Sequence, residues 1–394
     1  MVSNVTDTIK YIGVNDRDID LFESQYIVPE GISYNSYVIL DEKTAVMDTV
    51  DAHKTDEWLG NLKEALGGRA LDYIVVQHIE PDHSGSLLAA INAFPNAKIV
   101  ATAKAFQMIP QFFDEIDIAD RQIAVKEGDT LELGQHKLNF ILAPMIHWPE
   151  VMMSYDSYEK VFFSADAFGK FGALDFDDPE GWACEARRYY FGIVGKYGVP
   201  VQTLLKKAAG LEIEKILPLH GPVLPMPGDE LSYYINTYNT WSSYEPETHG
   251  VFVAYASIHG NTAKAAKKIA ELLEAKGEKV AISDICREDM AECVEDAFRY
   301  DRMILCAASY DAGVFLPMHD FLTHLSVKTY QNRKIAILEN GSWAPSAART
   351  IKSIVEGWKD VEIIGPTVTI KSSMKESDLP AIQELVDAVV EAGK

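Results

Sequence analysis

Cysteine is scarce in this sequence, and no run of apolar residues is long enough to span a bilayer. The 394 residues include four cysteines, and none forms the C-x-x-C pair that zinc ribbons and rubredoxin-type iron sites use. A transmembrane helix needs roughly 18 to 20 consecutive apolar residues, and no segment approaches that length. The first residues show no basic start followed by an apolar core, so no signal peptide is visible. We therefore expect a cytoplasmic protein with reduced cysteines.

Positive charge is also in short supply. The chain carries 36 lysines and arginines against 59 aspartates and glutamates, which gives a net charge of −23. Such acidity repels nucleic acid and anionic membrane surfaces, so we expect neither as a partner. Residues 1–248 carry −19 of this charge, and residues 249–394 carry −4. A cationic docking partner stays open as an interpretation, although solubility alone accounts for the acidity.

The pattern of the chain changes near Thr248. The stretch Thr237–Gly250 is polar and without hydrophobic periodicity, and a strand pattern, "VFVAYA", follows it. This change predicts two domains, 1–248 and 249–394. In the first domain, many short apolar runs alternate with amphipathic helices, which predicts an α/β fold with a mixed sheet. In the second, strands and helices alternate regularly, which predicts a doubly wound parallel sheet.

Potential metal ligands follow four apolar strands of the first domain. The strand pattern "DYIVVQ" runs into "HIEPDH", and the runs "NFILAPMI", "VFFSA" and "KILPL" each precede one more histidine or aspartate. Since loops converge at the carboxyl ends of strands, we expect these side chains to meet. Four imidazoles and three carboxylates suffice for two ions with three or four ligands each. The candidate ligands are His78, Glu80, Asp82, His83, His147, Asp166 and His220.

The local spacing divides these ligands between the two ions. His78 and Glu80 are two residues apart and point the same way in extended backbone, toward one ion. Asp82 and His83 lie beyond a proline that stiffens the turn, and they can address the second ion. Asp166 is the natural bridge, because its two oxygens can serve both ions.

The motif "HIEPDH" resembles the H-x-H-x-D-H signature of the metallo-β-lactamase-like fold, with Glu80 in place of the middle histidine. This exchange of a nitrogen donor for an anionic oxygen favours a redox pair of irons over two zincs. With the nineteen-residue step from His147 to Asp166 and the later His220, the pattern resembles the flavodiiron protein family. The resemblance implies an N-terminal metallo-β-lactamase-like αββα domain followed by a flavodoxin-like domain.

The second domain has a candidate phosphate loop, "SIHGNT", between its first strand and helix. The loop lacks the lysine of a nucleoside triphosphate site, and the G-x-G-x-x-G dinucleotide motif is missing. It resembles the flavodoxin loop that binds the FMN phosphate at a helix N-terminus. In flavodoxin-like domains the next two loops hold the flavin ring, here with Tyr310 and Trp343 against it. The candidate FMN contacts are Ser257, Ile258, His259, Gly260, Asn261, Thr262, Ser309, Tyr310, Asp311, Ala312, Gly313, Asn340, Gly341, Ser342, Trp343 and Ala344.

The resemblance implies an enzyme with FMN and two iron ions that detoxifies dioxygen by reduction to water, nitric oxide by reduction to nitrous oxide, or both. It also implies a head-to-tail homodimer or a dimer of dimers, and rubredoxin or a similar small protein as the electron donor. Tyr189 or Tyr190 could supply a proton or a hydrogen bond near the metals.

Two other interpretations stay open on the sequence alone. One is a dizinc hydrolase of the metallo-β-lactamase fold fused to a flavodoxin-like electron-transfer module. The other is an FMN electron carrier without catalysis. The sequence does not discriminate between dioxygen and nitric oxide as substrate.

Overall fold

Two separate hydrophobic cores organise the chain in this computed structural model, which describes residues 2–113, 116–176 and 181–394. Each core belongs to one compact unit, and each unit is built from two segments of the chain. The first unit comprises Met1–Tyr190 and Val199–Asn239, and the second comprises Phe191–Gly198 and Thr240–Lys394.

The first unit is built on two main sheets of short strands. Their bounds are β1 (Ser3–Asn4), β2 (Ile9–Tyr11), β3 (Val14–Asp16), β4 (Leu21–Phe22), β5 (Tyr26–Ile27), β6 (Ile32–Tyr34), β7 (Tyr37–Leu40), β8 (Thr44–Met47), β9 (Tyr73–Val75), β10 (Lys98–Thr102), β11 (Gln122–Val125), β12 (Thr130–Glu132), β13 (Lys137–Leu142), β14 (Met152–Asp156), β15 (Val161–Phe163) and β16 (Lys215–Leu217). One sheet has the order β1-β2-β7-β8-β9-β10-β11, and the other has the order β12-β13-β14-β15-β16. Two antiparallel strand pairs, β3 with β6 and β4 with β5, lie outside them.

Both sheets of the first unit mix parallel and antiparallel pairs, which confirms the predicted mixed sheet. Strands β7 and β8 pair antiparallel, whereas β8, β9, β10 and β11 run parallel. The two sheets pack face to face, because Met47 and Val75 of one share a buried cluster with Phe140 and Phe163 of the other. The burial of these apolar faces is the main force that holds the unit together.

Helices cover the outer faces of the two sheets. The helices of this part of the chain are α1 (Thr55–Leu66), α2 (Pro81–Ser84), α3 (Leu87–Ala93), α4 (Ala103–Phe112), α5 (Trp182–Tyr189), α6 (Gly198–Ala208) and α7 (Leu231–Ser242). Helix α1 buries Trp58, Leu62 and Leu66 along one face. Among the residues that the structure describes, no helix has the length and hydropathy that a bilayer-spanning segment requires.

Part of the stretch Thr237–Gly250 is helical, which the sequence prediction missed. Helix α7 continues to Ser242, and the chain passes from the first unit to the second inside it, ahead of the predicted division at Thr248. Tyr234, Tyr238 and Trp241 are almost completely buried, and their spacing of four and three residues marks one helical face. These aromatic rings explain why a polar-looking segment forms a helix.

The second unit is a sheet whose main strands run parallel, with helices between them. Its strands are β17 (Thr248–Ala256), β18 (Val280–Asp284), β19 (Tyr300–Tyr310), β20 (Gly313–Val314), β21 (Arg333–Asn340), β22 (Val361–Ile363) and β23 (Val368–Ile370). The short β20 pairs antiparallel with β19. Its helices are α8 (Asn261–Ala275), α9 (Met290–Arg299), α10 (Leu316–Val327), α11 (Ala347–Val355) and α12 (Leu379–Ala392).

The strand order of this sheet is β18-β17-β19-β21, and both β22 and β23 pair with β21. Counted along the sheet, this is the 2-1-3-4-5 order of doubly wound flavodoxin-like folds, which confirms the predicted class. The order reverses between β17 and β19, so the loops that follow these two strands leave a crevice at the carboxyl edge of the sheet.

Replacement of two helix glycines by alanine should change helix stability in opposite directions. Gly277 follows α8 with a φ of +86° and donates its N–H to the Glu274 carbonyl, so Gly277→Ala should destabilise the end of α8 by about 1 kcal/mol. Gly60 lies inside α1 with open space around it, so Gly60→Ala should stabilise that helix by about 1 kcal/mol. Hydrogen–deuterium exchange of peptides from the two helices measures the local stability of each helix. Equal effects of the two substitutions would contradict the different backbone roles given to Gly277 and Gly60.

Candidate metal and flavin sites

The ligand-type side chains predicted from the sequence come together in the first unit. One group places single ligand atoms of His78, Glu80, His147 and Asp166 within 4.8 Å of one another. A second group does the same with Asp82, His83 and His220. All seven follow the four strands named from the sequence, β9, β13, β15 and β16.

The carboxylate of Asp166 lies between the two groups. Its Oδ2 is 3.3 Å from Nε2 of His78 and 3.3 Å from Nε2 of His147. Its Oδ1 is 3.0 Å from Nε2 of His83 and 3.8 Å from Nε2 of His220. Each oxygen therefore faces a different pair of imidazoles, as expected of a carboxylate that bridges two ions.

Each group also has a carboxylate of its own. Oε2 of Glu80 lies 3.1 Å and 2.9 Å from the imidazole nitrogens of the first group. Oδ2 of Asp82 lies 3.2 Å from each of the imidazole nitrogens of the second group. Ligands held about 2.1 Å from one ion at nearly right angles lie about 3 Å apart, so these separations fit two metal ions.

Unpaired polar atoms in this cluster support the same conclusion. Both oxygens of Asp82 and Asp166, both ring nitrogens of His83 and Nε2 of His220 are buried without a hydrogen-bond partner among the described residues. Buried polar groups without partners are costly and rare in folded proteins. These atoms approach each other closely without the alignment of hydrogen bonds, so they converge on common points that cations would fill.

The pKa shifts of the clustered side chains also indicate a site for cations. Burial would lower the pKa of His78, but Asp166 and the neighbouring carboxylates outweigh burial and raise that pKa well above the ordinary value. The same balance raises the pKa of His147 to about 9. Burial would raise the pKa of Asp166, but the imidazoles of His83 and His78 hold it well below its usual range. The cluster therefore attracts cations, and a metal ion would displace the imidazole protons.

Local backbone contacts fix the loop that carries the first ligands. The buried carboxylate of Asp48, at the end of β8, accepts hydrogen bonds from the backbone N–H and the side-chain amide of Gln77, at 2.7 and 2.9 Å. Pro81 begins the short helix α2, which places Asp82 and His83 together on the loop. The path of the chain after β9 is thus set by β8 and by this turn.

Two residues that the sequence analysis did not single out orient ligand histidines. Oε1 of Glu150 lies 2.8 Å from Nδ1 of His78 and also accepts the N–H of Ile79. The backbone carbonyl of Ser33 lies 2.8 Å from Nδ1 of His220. A hydrogen bond at Nδ1 leaves the Nε2 lone pair for a metal and fixes the ring orientation. Nothing in the sequence marks Ser33. Glu150 could have been singled out, because it lies three residues after the candidate ligand His147.

The two candidate tyrosines occupy different places. The ring of Tyr189 lies 5.4 Å from that of His220. Burial, followed by the charges of Asp166 and other ligand carboxylates, raises the pKa of Tyr189 well above the phenol value. Tyr190 packs instead against the ring of Tyr238 at 5.1 Å. Tyr189 therefore lies beside the candidate ligand His220, whereas the ring of Tyr190 packs against Tyr238.

A third cluster of ligand-type residues has a different character. His136, Asp156 and Glu159 lie close together, but Nδ1 of His136 bonds Asp156 at 2.9 Å and Nε2 bonds the Thr8 hydroxyl at 2.8 Å. Thr6 and Thr8 also donate to Glu159. Because its polar atoms have partners, we assign this cluster to the stability of the fold.

The loops after β17, β19 and β21 line a cavity of about 610 Å³ in the second unit. Most of the predicted FMN residues line it, and Ala308, Ser346 and Ser372 join them. Gly260 and Gly313 are the two candidates that do not line it. Gly260 begins α8 with a φ of +83°, and Gly313 pairs with Tyr310 in a turn. Both glycines shape the backbone instead of facing the cavity.

One end of this cavity is suited to a phosphate. The hydroxyl oxygen of Ser257 accepts the N–H groups of Gly260 and Ala263, at 3.1 and 3.2 Å. The N–H groups of His259, Asn261 and Thr262 have no partner among the described residues. Free N–H groups at the start of a fifteen-residue helix form an anion site. The residues present thus fit a phosphate, and exposed Tyr310 and Trp343 lie at the same cavity.

Similar proteins match this chain across both of its units. The sequence model of the ODP family beta lactamase matches residues 32–221. The anaerobic nitric oxide reductase flavorubredoxin of Pectobacterium atrosepticum is 30% identical over 366 residues, which are 90% of this chain and 70% of that protein. The nitric oxide reductase of Moorella thermoacetica is 29% identical over 399 residues, covering 97% of this chain and 96% of that one.

A solved structure shows the same fold over the whole length. The rubredoxin oxygen:oxidoreductase of Desulfovibrio gigas superposes with a TM-score of 0.92, covers 100% of this chain and 98% of its own, and is 24% identical. This likeness confirms the predicted fold class, a metallo-β-lactamase-like αββα unit combined with a flavodoxin-like unit.

The hydrogen bond between Glu150 and His78 provides a test of the metal cluster. Glu150→Ala should weaken binding of Fe²⁺ or Zn²⁺ by about 10- to 100-fold, since an outer hydrogen bond orients the ligand imidazole. The milder Glu150→Gln keeps an acceptor and should have a smaller effect. Competition with a chromophoric chelator measures the affinity.

Glu159→Ala is the matched control, because this carboxylate bonds Thr6 and Thr8 instead of a ligand. It should leave metal affinity unchanged. If both alanine variants bind metal as tightly as the original chain, Glu150 does not orient His78.

Proposed function

This chain belongs to the flavodiiron protein family, and on that premise we propose that it reduces dioxygen to water, nitric oxide to nitrous oxide, or both. One observation carries the proposal. The two oxygens of Asp166 face separate pairs of imidazoles, and the carboxylates of Glu80 and Asp82 complete the two groups. A two-ion site with three carboxylates suits a redox pair of irons better than two zincs.

We propose FMN and two iron ions as the cofactors. His78, Glu80 and His147 would hold one iron, and Asp82, His83 and His220 would hold the other, with the carboxylate of Asp166 between the two groups. When bound, the irons supply electrons and Lewis acidity to a small diatomic substrate, and FMN supplies the irons with electrons one at a time. The cavity of the second unit, with its N–H groups at the start of α8, receives the FMN phosphate.

Protons are the part of the reaction that the protein itself must provide. Reduction of dioxygen to water consumes four electrons and four protons, and coupling of two nitric oxide molecules consumes two of each. Tyr189 is the side chain best placed to hold a proton, because its phenol stays neutral beside Asp166, Asp82 and Glu80. A neutral phenol donates a hydrogen bond to a substrate oxygen, and the buried site around it excludes water.

The proposed flavin needs a source of electrons. The four cysteines of these 394 residues form no C-x-x-C pair, the motif of a rubredoxin-type iron site. We propose rubredoxin or a similar small protein as the donor. The family resemblance supports a head-to-tail homodimer or a dimer of dimers, in which the FMN of one subunit approaches the irons of its partner.

A dizinc hydrolase fused to a flavin module is the weaker alternative. Glu80 argues against it, since this carboxylate lies within 3.1 Å of both imidazoles of its group. A hydrolase also has no use for a flavin site. Metal analysis separates the two proposals, because two zincs with esterase activity and no reductase activity would favour the hydrolase.

Removal of the bridging ligand tests the proposal directly. Asp166→Asn and His78→Ala should lower turnover of both dioxygen and nitric oxide by at least about 100-fold and reduce the iron content, because each removes a ligand. Flavin content should stay at that of the unmodified chain, since FMN binds in the other unit. His249→Ala, at a solvent-exposed imidazole, serves as the control with unchanged turnover. Full turnover in the Asp166 variant would point to an FMN carrier without metal catalysis.

Exchange of one ligand tests the choice of metal. Glu80→His restores three nitrogen donors to the first group and should shift its preference from iron toward zinc. Growth with both metals, followed by elemental analysis, measures the ratio of zinc to iron per chain. An unchanged ratio would show that Glu80 does not select the metal, while retained FMN confirms that the protein is folded.

A further inference from the structure

A second cavity, of about 300 Å³, lies in the first unit between helices α6 and α7 and one face of the strands β15 and β16. Phe162 and Ile216 line it, whereas their neighbours Phe163 and Leu217 pack into the core between the two sheets. The eleven described residues that line the cavity are all apolar. An apolar cavity of about 150 Å³ stays dry and takes up benzene or xenon, so this larger one suits a small apolar molecule.

The cavity reaches from the surface into the interior of the unit. Among its lining residues, Ala209 is exposed and Leu211 is partly exposed, in the loop that follows α6. Phe162 and Phe168, in contrast, are each 2% exposed. A small molecule can therefore enter from solvent beside the end of α6 and move inward to the ring of Phe168.

The inner end of the cavity is separated from the metal cluster by one stretch of backbone. Phe168 lines the cavity and lies two residues after the candidate ligand Asp166. The next residue, Gly169, faces the cluster, because a Cβ placed on it would lie 3.4 Å from Cβ of His220 and 3.4 Å from the ring of Tyr189. Consecutive residues of the same turn thus face the cavity and the candidate ligands.

The backbone of this turn is held in place on the side of the cavity. The N–H of Phe168 donates to the hydroxyl of Tyr238 at 2.6 Å, and its carbonyl accepts the indole N–H of Trp182 at 3.1 Å. The ring of Phe168 stacks on the ring of Tyr238, with 4.1 Å between their centres. Since side chains change rotamer much faster than packed backbone rearranges, the ring of Phe168 is the part of this wall that can yield to a small molecule.

We propose that this cavity takes up the diatomic substrate and delivers it to the metal cluster past the ring of Phe168. The inference rests on the proposed function, because dioxygen and nitric oxide are the molecules that the metals would reduce. Both are small, uncharged and nearly apolar, so they leave water for apolar space as xenon does. Water and ions would lose their hydrogen bonds on entry, so the cavity favours the substrate over both.

Crystals of the full-length chain under xenon pressure test the uptake. We expect xenon, located by its anomalous scattering, inside this cavity. Ala208→Phe should remove it, because Ala208 lines the cavity at the end of α6 and the added ring fills the space. Ala208→Leu fills less space and should lower the occupancy, which keeps the test available if the larger ring disturbs α6. A cavity without xenon in the original chain would overturn the proposal.

Steady-state kinetics of the chain loaded with its cofactors test the delivery. Ala208→Phe should lower kcat/KM for dioxygen and for nitric oxide about three- to tenfold and leave kcat unchanged, since entry is slowed and the chemistry is not. Thr203→Phe places the same ring on an exposed position of α6 outside the cavity lining. This control should keep both constants, and iron and flavin contents equal to those of the original chain show that each variant is folded.

The outcomes distinguish the cavity from the proposed function. An unchanged kcat/KM in a folded Ala208→Phe variant, or the same loss in Thr203→Phe, would overturn the role of the cavity while the reductase activity stands. An original chain that reduces neither dioxygen nor nitric oxide would instead refute the proposed function, and with it the diatomic substrate as the occupant.

Discussion

The buried carboxylate of Asp166 is the constraint on which the first unit depends. A buried carboxylate costs several kcal/mol unless nearby cations compensate it. Here both of its oxygens lack a hydrogen-bond partner and face imidazoles on two sides. The surrounding strand ends must therefore bring positive charge to this point, as imidazolium protons or as metal ions. The unit is built to present four histidines around one carboxylate.

Strand register delivers this geometry. Strands β15 and β16 run parallel with Phe163 opposite Leu217, and Asp166 and His220 each lie three residues further along. The N–H of Leu219 donates to the Ala165 carbonyl at 2.9 Å, which keeps the two loops together beyond the strands. A slip of one residue would turn every side chain of a strand to the opposite face. The sheet register is thus a requirement of the site as well as of the core.

The sequence allowed the clustering of the seven candidate ligands to be predicted, because each followed an apolar strand and belonged to a residue type that binds metals. The outer contacts could not be predicted in this way. Ser33 acts through its backbone carbonyl, which any residue provides, and Phe22 packs its ring 5.4 Å from His220 from a hairpin distant in sequence. Helix α7 was missed for a related reason, since its aromatic face is visible only when Tyr and Trp are counted as buried. Packing between segments that are distant in sequence determines these contacts.

The two candidate sites differ in the interactions that they offer to a cofactor. The metal cluster concentrates opposite charges in a buried place, so an ion must displace protons from imidazoles such as His147, whose pKa is raised to about 9. The cavity of the second unit offers N–H groups, hydroxyls and the start of a helix, which carry partial charges and need no proton exchange. An acidic chain with a net charge of −23 can attract a metal cation at long range but repels an anionic cofactor. Short-range donors at the start of α8 must overcome that repulsion, which explains why the loop keeps so many of its donors free.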